Sequence, residues 1–265
     1  MKNNICGFIE LNGELVKIST IEDLKSLVER LGNAFSELTE KDYNELCKHM
    51  QGSYATDDCN VYYSTDWKRL LFAPISSEEY IIKTGTTIIA KYAFNWHWYQ
   101  INGFLYNNKY IHKKEINNLL IPDSVIAIGA EAFMDNGCLS NVIMSSNLQY
   151  IGTRAFSGCW KMSDFTIPSS LKYIESEAFD GCWNAFTELI IPESVKHIGS
   201  HAFRNCKRIE KVMFSSEIEN IGSGIFDGCE TIAKIVVPKG SYKKFCDQLP
   251  FFVSIITENQ DETVL

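Results

Sequence analysis

Apolar residues recur in fixed columns between Ile121 and Gly228. Ala-Phe appears at Ala132-Phe133, Ala155-Phe156, Ala178-Phe179 and Ala202-Phe203, and as Ile225-Phe226, with steps of 23, 23, 24 and 23 residues between the rings. An isoleucine stands four positions before each pair, at Ile128, Ile151, Ile174, Ile198 and Ile221. Three positions past each ring comes Asn136, Cys159, Cys182, Cys206 or Cys229, and a large apolar residue follows at Leu139, Met162, Phe186, Ile209 and Ile232. Such a register predicts stacked copies of one short unit, each burying its apolar side only against its neighbours. Phe94, Phe133, Phe156, Phe179, Phe203 and Phe226 are the predicted core spine.

Within each unit the pattern predicts one strand and one shorter extended segment. The strands fall at Leu119–Ile121, Val142–Met144, Phe165–Ile167, Leu189–Ile191, Val212–Phe214 and Ile235–Val237, with Pro122, Pro168, Pro192 and Pro238 directly after four of them. Proline cannot donate to a ladder, so it belongs at a strand end. The shorter segments lead into the isoleucines, as at Leu148–Ile151 and Val195–Ile198. Ile89, Ala93 and Phe94 match Ile128, Ala132 and Phe133, but the rings stand 39 residues apart, so some sixteen residues are inserted, around Ile101–Tyr110.

The flanks read differently. Phe8–Leu11 and Glu14–Ile18 surround Asn12-Gly13, a strong hairpin signal. A capping box at Ser19 and Glu22 opens a helix carrying Leu24, Leu27, Val28 and Leu31, and a second helix is predicted from Glu40 to His49. A solenoid needs its first coil covered, so residues 1–58 read as an α+β cap, with a separate partner-binding or regulatory module as the alternative. Residues 59–237 form the solenoid, with hairpin excursions near 61–74 and 95–117. Residues 238–265 supply a C-terminal cap, with a helix from about Ser241, Leu249, Phe251, Phe252, Ile255 and Ile256 covering the last coil, and a frayed tail from Asn259. The fold class is thus a mainly β repeat solenoid of about 23-residue coils.

The unit Met162-Ser163-Asp164-Phe165-Thr166-Ile167 fits the L-x-x-L-x-L core of leucine-rich repeats. The full unit, complete from Ile191 to Cys206, resembles the BspA-type leucine-rich-repeat family, and the resemblance covers roughly residues 60–255. It implies a non-enzymatic binding protein, often bacterial and displayed on a surface or secreted as an adhesin. It transfers no site residue, because binding faces in that family carry no fixed motif.

Side-chain alternation predicts which strand residues face outward. One column is Leu120, Ile143, Thr166, Ile190, Met213 and Val236; beside it runs Asn118, Asn141, Asp164, Glu188, Lys211 and Lys234, from neutral through acidic to basic. An apolar stripe beside graded charge suits a protein or peptide partner on the concave sheet face. Strand propensity alone would select the same apolar residues. Trp96, Trp98 and Tyr99 in the insertion could stack on a glycan or grip a peptide, or pack the loop onto the solenoid.

Charge and cysteines narrow the chemistry. A net charge of −8 argues against nucleic acid and anionic membranes. No apolar run reaches signal or membrane-span length, which places the chain in the cytoplasm unless it is exported as the family resemblance suggests. The thiols at Cys159, Cys182, Cys206 and Cys229 lie in a line, not in the close pairs that zinc needs, and read as buried and reduced. Neighbouring coils could still bring them near disulfide range. No catalytic, cofactor or metal motif appears, so any enzymatic activity falls to residues 1–58. The sequence points first to a protein-binding scaffold and second to an adhesive or glycan-binding protein.

Overall fold

The computed structural model describes residues 7–11, 14–18, 55–59, 61–73, 77–95, 116–216 and 218–259. β1 (Gly7–Leu11) and β2 (Glu14–Ile18) pair antiparallel with Leu11 opposite Glu14, the register that a two-residue connection demands. The two helices predicted between Ser19 and His49, the excursion around Ile101–Tyr110, and Trp96, Trp98 and Tyr99 lie outside the described residues.

The shorter predicted segments make the longest sheet. β5 (Arg69–Phe72), β7 (Ile88–Ile89), β9 (Ala127–Ile128), β11 (Tyr150–Ile151), β12 (Tyr173–Ile174), β14 (His197–Ile198) and β16 (Asn220–Ile221) follow one another in parallel. β3 (Ala55–Thr56) and β4 (Tyr62–Tyr63) add antiparallel strands at its first edge. Ala55 and Thr56, grouped in sequence with the N-terminal region, thereby join the solenoid sheet. The predicted excursion near 61–74 is this β4–β5 pair, turned by Ser64, whose hydroxyl donates to Asp66 while its carbonyl accepts from Trp67 N–H.

The rings stack as the periodicity requires. Centroid separations from Phe94 through Phe133, Phe156, Phe179 and Phe203 to Phe226 are 4.6, 5.0, 5.5, 5.5 and 6.0 Å. Around Phe179 the planes lie within 4° and 1° of its neighbours. The backbone repeats with them: Phe133, Phe156 and Phe179 N–H each donate at 2.8 Å to the carbonyl of the alanine before the next ring. Phe94 stacks on Phe133 despite the 39-residue step, so the insertion leaves the core register intact.

Each turn uses left-handed backbone. Glu131, Arg154, Glu177 and His201 have φ of 54–58°, and Gly224 takes the same place at 62°. A side chain in that region costs free energy, which the inter-coil hydrogen bonds and ring stacking outweigh.

The outward strands form two sheets instead of one. β6 (Glu79–Ile81), β8 (Asn118–Leu120) and β10 (Asn141–Ile143) make the first. β13 (Glu188–Ile191), β15 (Lys211–Phe214), β17 (Lys234–Val237) and β18 (Ile256–Glu258) make the second. The predicted strand Phe165–Ile167 is absent from both. Asp164 turns left-handed at φ 52°, and Phe165 N–H donates to Ala185 of the following coil at 2.9 Å. That following coil holds the extra residue of the 24-residue step. Ala185 and Phe186 use it to fill the core, with Phe186 edge-on to Phe165, Phe179 and Phe203.

The end closes as a cap with two departures from expectation. Helix α1 (Tyr242–Gln248) buries Phe245 against Phe214, a 3-10 helix follows at Pro250–Ile255, and Phe252 meets Phe226 edge-on at 5.9 Å. Phe251, expected to cover the last coil, is 92% exposed. Ile256 covers the last coil as part of a strand that the sequence did not predict, β18 (Ile256–Glu258), and Asn259, where the tail was expected to begin, donates its N–H to Val237 at 2.8 Å.

Candidate functional site

The outward strand column is the candidate site, and its members differ sharply in environment. Ile143 is 55% exposed and Ile190 46%; Leu120 and Met213 are half-buried, and Thr166 is exposed on the unladdered coil. Val236 corrects the sequence reading. It is buried, because β18 adds a strand beyond β17 and leaves Val236 between Met213 and Thr257. The stripe therefore comes in two pieces, Leu120 with Ile143 and Ile190 with Met213, separated by the coil at Thr166.

The predicted charge gradient is also reshaped. Lys211 Nζ lies 2.5 Å from Glu188 Oε1, an exposed ion pair between neighbouring strands. Asp164 is exposed at its left-handed turn, and Lys234 is exposed near the last coils. Asn118 Nδ2 donates to Glu79 Oε1 at 3.2 Å.

Sequence reasoning missed Ile81, the most exposed large hydrophobic on the described strands at 68%. It pairs in register with Leu120, which pairs with Ile143. The signal was present: Ile81 precedes Leu120 by the same 39 residues that separate Phe94 from Phe133.

It also missed Trp160 and Trp183, each directly after a column cysteine. Their rings are 6.4 Å apart and Lys207 Nζ lies 4.9 Å from Trp183. Trp160 fills the space beside Gly137 so fully that a Cβ there would overlap the indole. These indoles form a ladder along the stack that covers the turns. A second rim is ionic. Arg154 holds Glu177 through two bonds of 3.0 Å, and Arg204 bridges Glu177 and Asp180. These charges answer one another across three coils.

The cysteine column is structural chemistry. Sγ of Cys159, Cys182, Cys206 and Cys229 donates to the carbonyls of Phe133, Phe156, Phe179 and Phe203 at 3.2, 3.0, 3.3 and 3.1 Å. Asn136 Nδ2 does the same to Phe94 at 2.9 Å. Each therefore satisfies one buried carbonyl of the coil before it. Burial pushes all four thiols up, Cys229 to about 12. A raised folded pKa means stability complete below the ordinary thiol value of 9.0 and lost as pH climbs towards 12. Cys182→Ala should be less stable than the parent below pH 9, and the gap should narrow above it by up to about 1.4 kcal/mol per pH unit. Denaturant titrations of both proteins across that range check this; a gap independent of pH refutes it.

Among the described residues no three His, Cys, Asp or Glu side chains gather to hold a metal, and no helix is long and apolar enough to cross a membrane.

The BspA type leucine rich repeat region model matches in six copies within residues 65–184, 103–233 and 174–249, together more than half of the chain. No curated protein matches the sequence. Among solved structures, the T. pallidum leucine rich repeat protein aligns with a TM-score of 0.53 at 21% identity, covering 69% of this chain and 77% of that one. A leucine-rich repeat protein from Bacteroides ovatus aligns at 0.49 and 22% identity, covering 70% and 47%. A leucine rich cell surface protein from Faecalibacterium prausnitzii aligns at 0.47 and 20%, covering 71% and 53%. At such identities the T. pallidum likeness speaks for the fold alone.

Proposed function

We propose, for a chain that belongs to the BspA-type leucine-rich-repeat family, a non-enzymatic scaffold that binds a protein partner on its outward strand face. The observation that carries this reading is the placement of Ile143 and Ile190, large aliphatic side chains about half exposed on strands that are held rigid from beneath. Leu120 and Met213 extend each into a short stripe. Exposed aliphatics on an ordered sheet favour a partner that removes them from water, at roughly 25 cal/mol per Å². Thr166 and Asp164 lie between the two stripes and would meet the same partner, with Glu188, Lys211 and Lys234 at its rim. Rim charges of this kind steer encounter more than they add affinity.

Ile190→Glu with Met213→Glu tests it. Both side chains face outward, so the fold and its thermal transition should persist, while capture of the partner from the protein's own cells should be lost. Capture unchanged in the double variant would refute the use of this face. The family's adhesive roles would present the same stripes outside the cell; surface labelling of intact cells separates that setting from an internal one.

A further inference from the structure

The first outward sheet ends on an open strand. In the parallel ladder β6 spends its alternate peptide groups on β8: Glu78 accepts from Asn118, and Ile82 donates to Leu120 at 3.0 Å. The peptide groups of Glu79 and Ile81 point the other way, and among the described residues no strand pairs with that edge. The opposite end of the outward face is closed by the chain itself, through β18 on β17. An unpaired edge is a template for another strand.

Two further features surround that edge. Ile81, Leu120 and Ile143 run across the three strands beside a shallow depression of about 280 Å³. Glu79 lines that depression and Glu78 stands directly before β6; both are acidic and exposed. Among the described residues, Lys83, two positions past Ile81, lies over the Trp67 ring at 3.6 Å.

We infer that β6 is a strand-addition site for a basic, extended peptide that carries an aliphatic residue and a lysine or arginine two positions apart, so that both stand on the exposed face shared by Ile81 and Glu79. The added strand bonds to the outward N–H and carbonyl of Ile81 and to the carbonyl of Glu79, whose N–H donates to Ser77 Oγ at 3.3 Å. Its aliphatic side chain continues the Ile81–Leu120–Ile143 stripe, and its basic side chain, two residues away on the same face, meets Glu79. Main-chain bonds supply affinity and the side chains on the shared face supply selection. This inference rests on the scaffold reading above and names the partner chemistry for one end of that face.

The test titrates the full chain with a labelled, end-capped peptide in which serine separates successive lysine and valine residues, so that lysine and valine share one face, read by fluorescence anisotropy. Binding is expected, weakened about tenfold or more when lysine is replaced by glutamate or when alternate peptide nitrogens are methylated. Ile81→Pro removes the outward donor without touching a β6–β8 bond, and should weaken binding similarly. The methylated peptide leaves the protein unaltered and keeps the test sound if that variant misfolds. Three results would each overturn the inference. One is equal binding of the glutamate or methylated peptide. Another is no binding at all. The third is an Ile81 amide already protected from hydrogen exchange in the free protein, which would mean that the chain's own N-terminal hairpin or a second copy fills the edge. Loss of this site with partner capture still dependent on Ile190 and Met213 would leave the scaffold reading standing; capture indifferent to those residues would remove that reading instead.

Discussion

Phe179→Ala should lower unfolding stability by about 3–5 kcal/mol, as for other buried aromatic truncations, the largest loss expected from any single ring in the stack. The ring lies between Phe156 and Phe203, 5.5 Å from each and nearly parallel to both. Phe165 and Phe186 press on it from the side at 5.3 and 5.5 Å. Each such aromatic pair contributes roughly 0.5–1.5 kcal/mol beyond its area, and removal opens a cavity that neighbouring coils cannot collapse into while their backbones stay bonded. Because each coil contacts only its neighbours, a break in the middle weakens two interfaces at once. Phe226→Ala should cost less, since its far side meets a single edge-on ring, Phe252. Phe251→Ala should change stability by no more than about 0.5 kcal/mol, because that ring is 92% exposed. Urea titrations of the three variants settle the order; a Phe179→Ala cost no greater than that of Phe251→Ala would refute the spine.

The spine was legible because the sequence repeats it without exception, and a buried ring at fixed period admits one arrangement. The cysteine column was legible for the same reason: Asn136 in the first place signals a donor facing backbone. What periodicity cannot carry is the local fate of a strand. Residues Met162–Ile167 match the repeat consensus as well as any, yet make no ladder, because one additional residue in the next coil lets Phe186 claim core space and reorients Phe165. The spacing from Cys182 to Phe186, one longer than elsewhere, marked the irregularity but not its consequence. Exposure followed the same rule. Ile190 and Val236 are equivalent in sequence, and what separates them is β18, a strand that lies beyond the last recognisable repeat. Ile81 escaped notice because the inserted residues hide its register with Leu120.

Gly199→Ala should cost about 1–3 kcal/mol through overpacking alone, although alanine is otherwise an undemanding change. The glycine after the column isoleucine recurs at Gly129, Gly152, Gly199 and Gly222. None of the four has a left-handed φ, so conformational freedom is not what they supply. They supply closeness. A Cβ on Gly129 would lie 2.6 Å from Lys91 N, one on Gly152 2.7 Å from Ala130 N, and one on Gly199 nearer still to Ser176 N. All these atoms are backbone of the preceding coil, so relief requires the coils to part. Parting would strain the bond from Gly199 N–H to Ile174 at 2.8 Å, and with it the ladder from Phe179 N–H to Ala202 at 2.8 Å. Gly181 is the informative contrast. Its φ is 72°, and its nearest neighbour to a Cβ is 3.7 Å away. Gly181→Asn should therefore stay within about 1 kcal/mol of the parent, because Asn205 already holds the equivalent left-handed place at 57°. Melting curves of Gly199→Ala and Gly181→Asn, compared with the parent, separate spacing from backbone freedom. If the two variants lose stability equally, coil spacing is not what the glycine column sets.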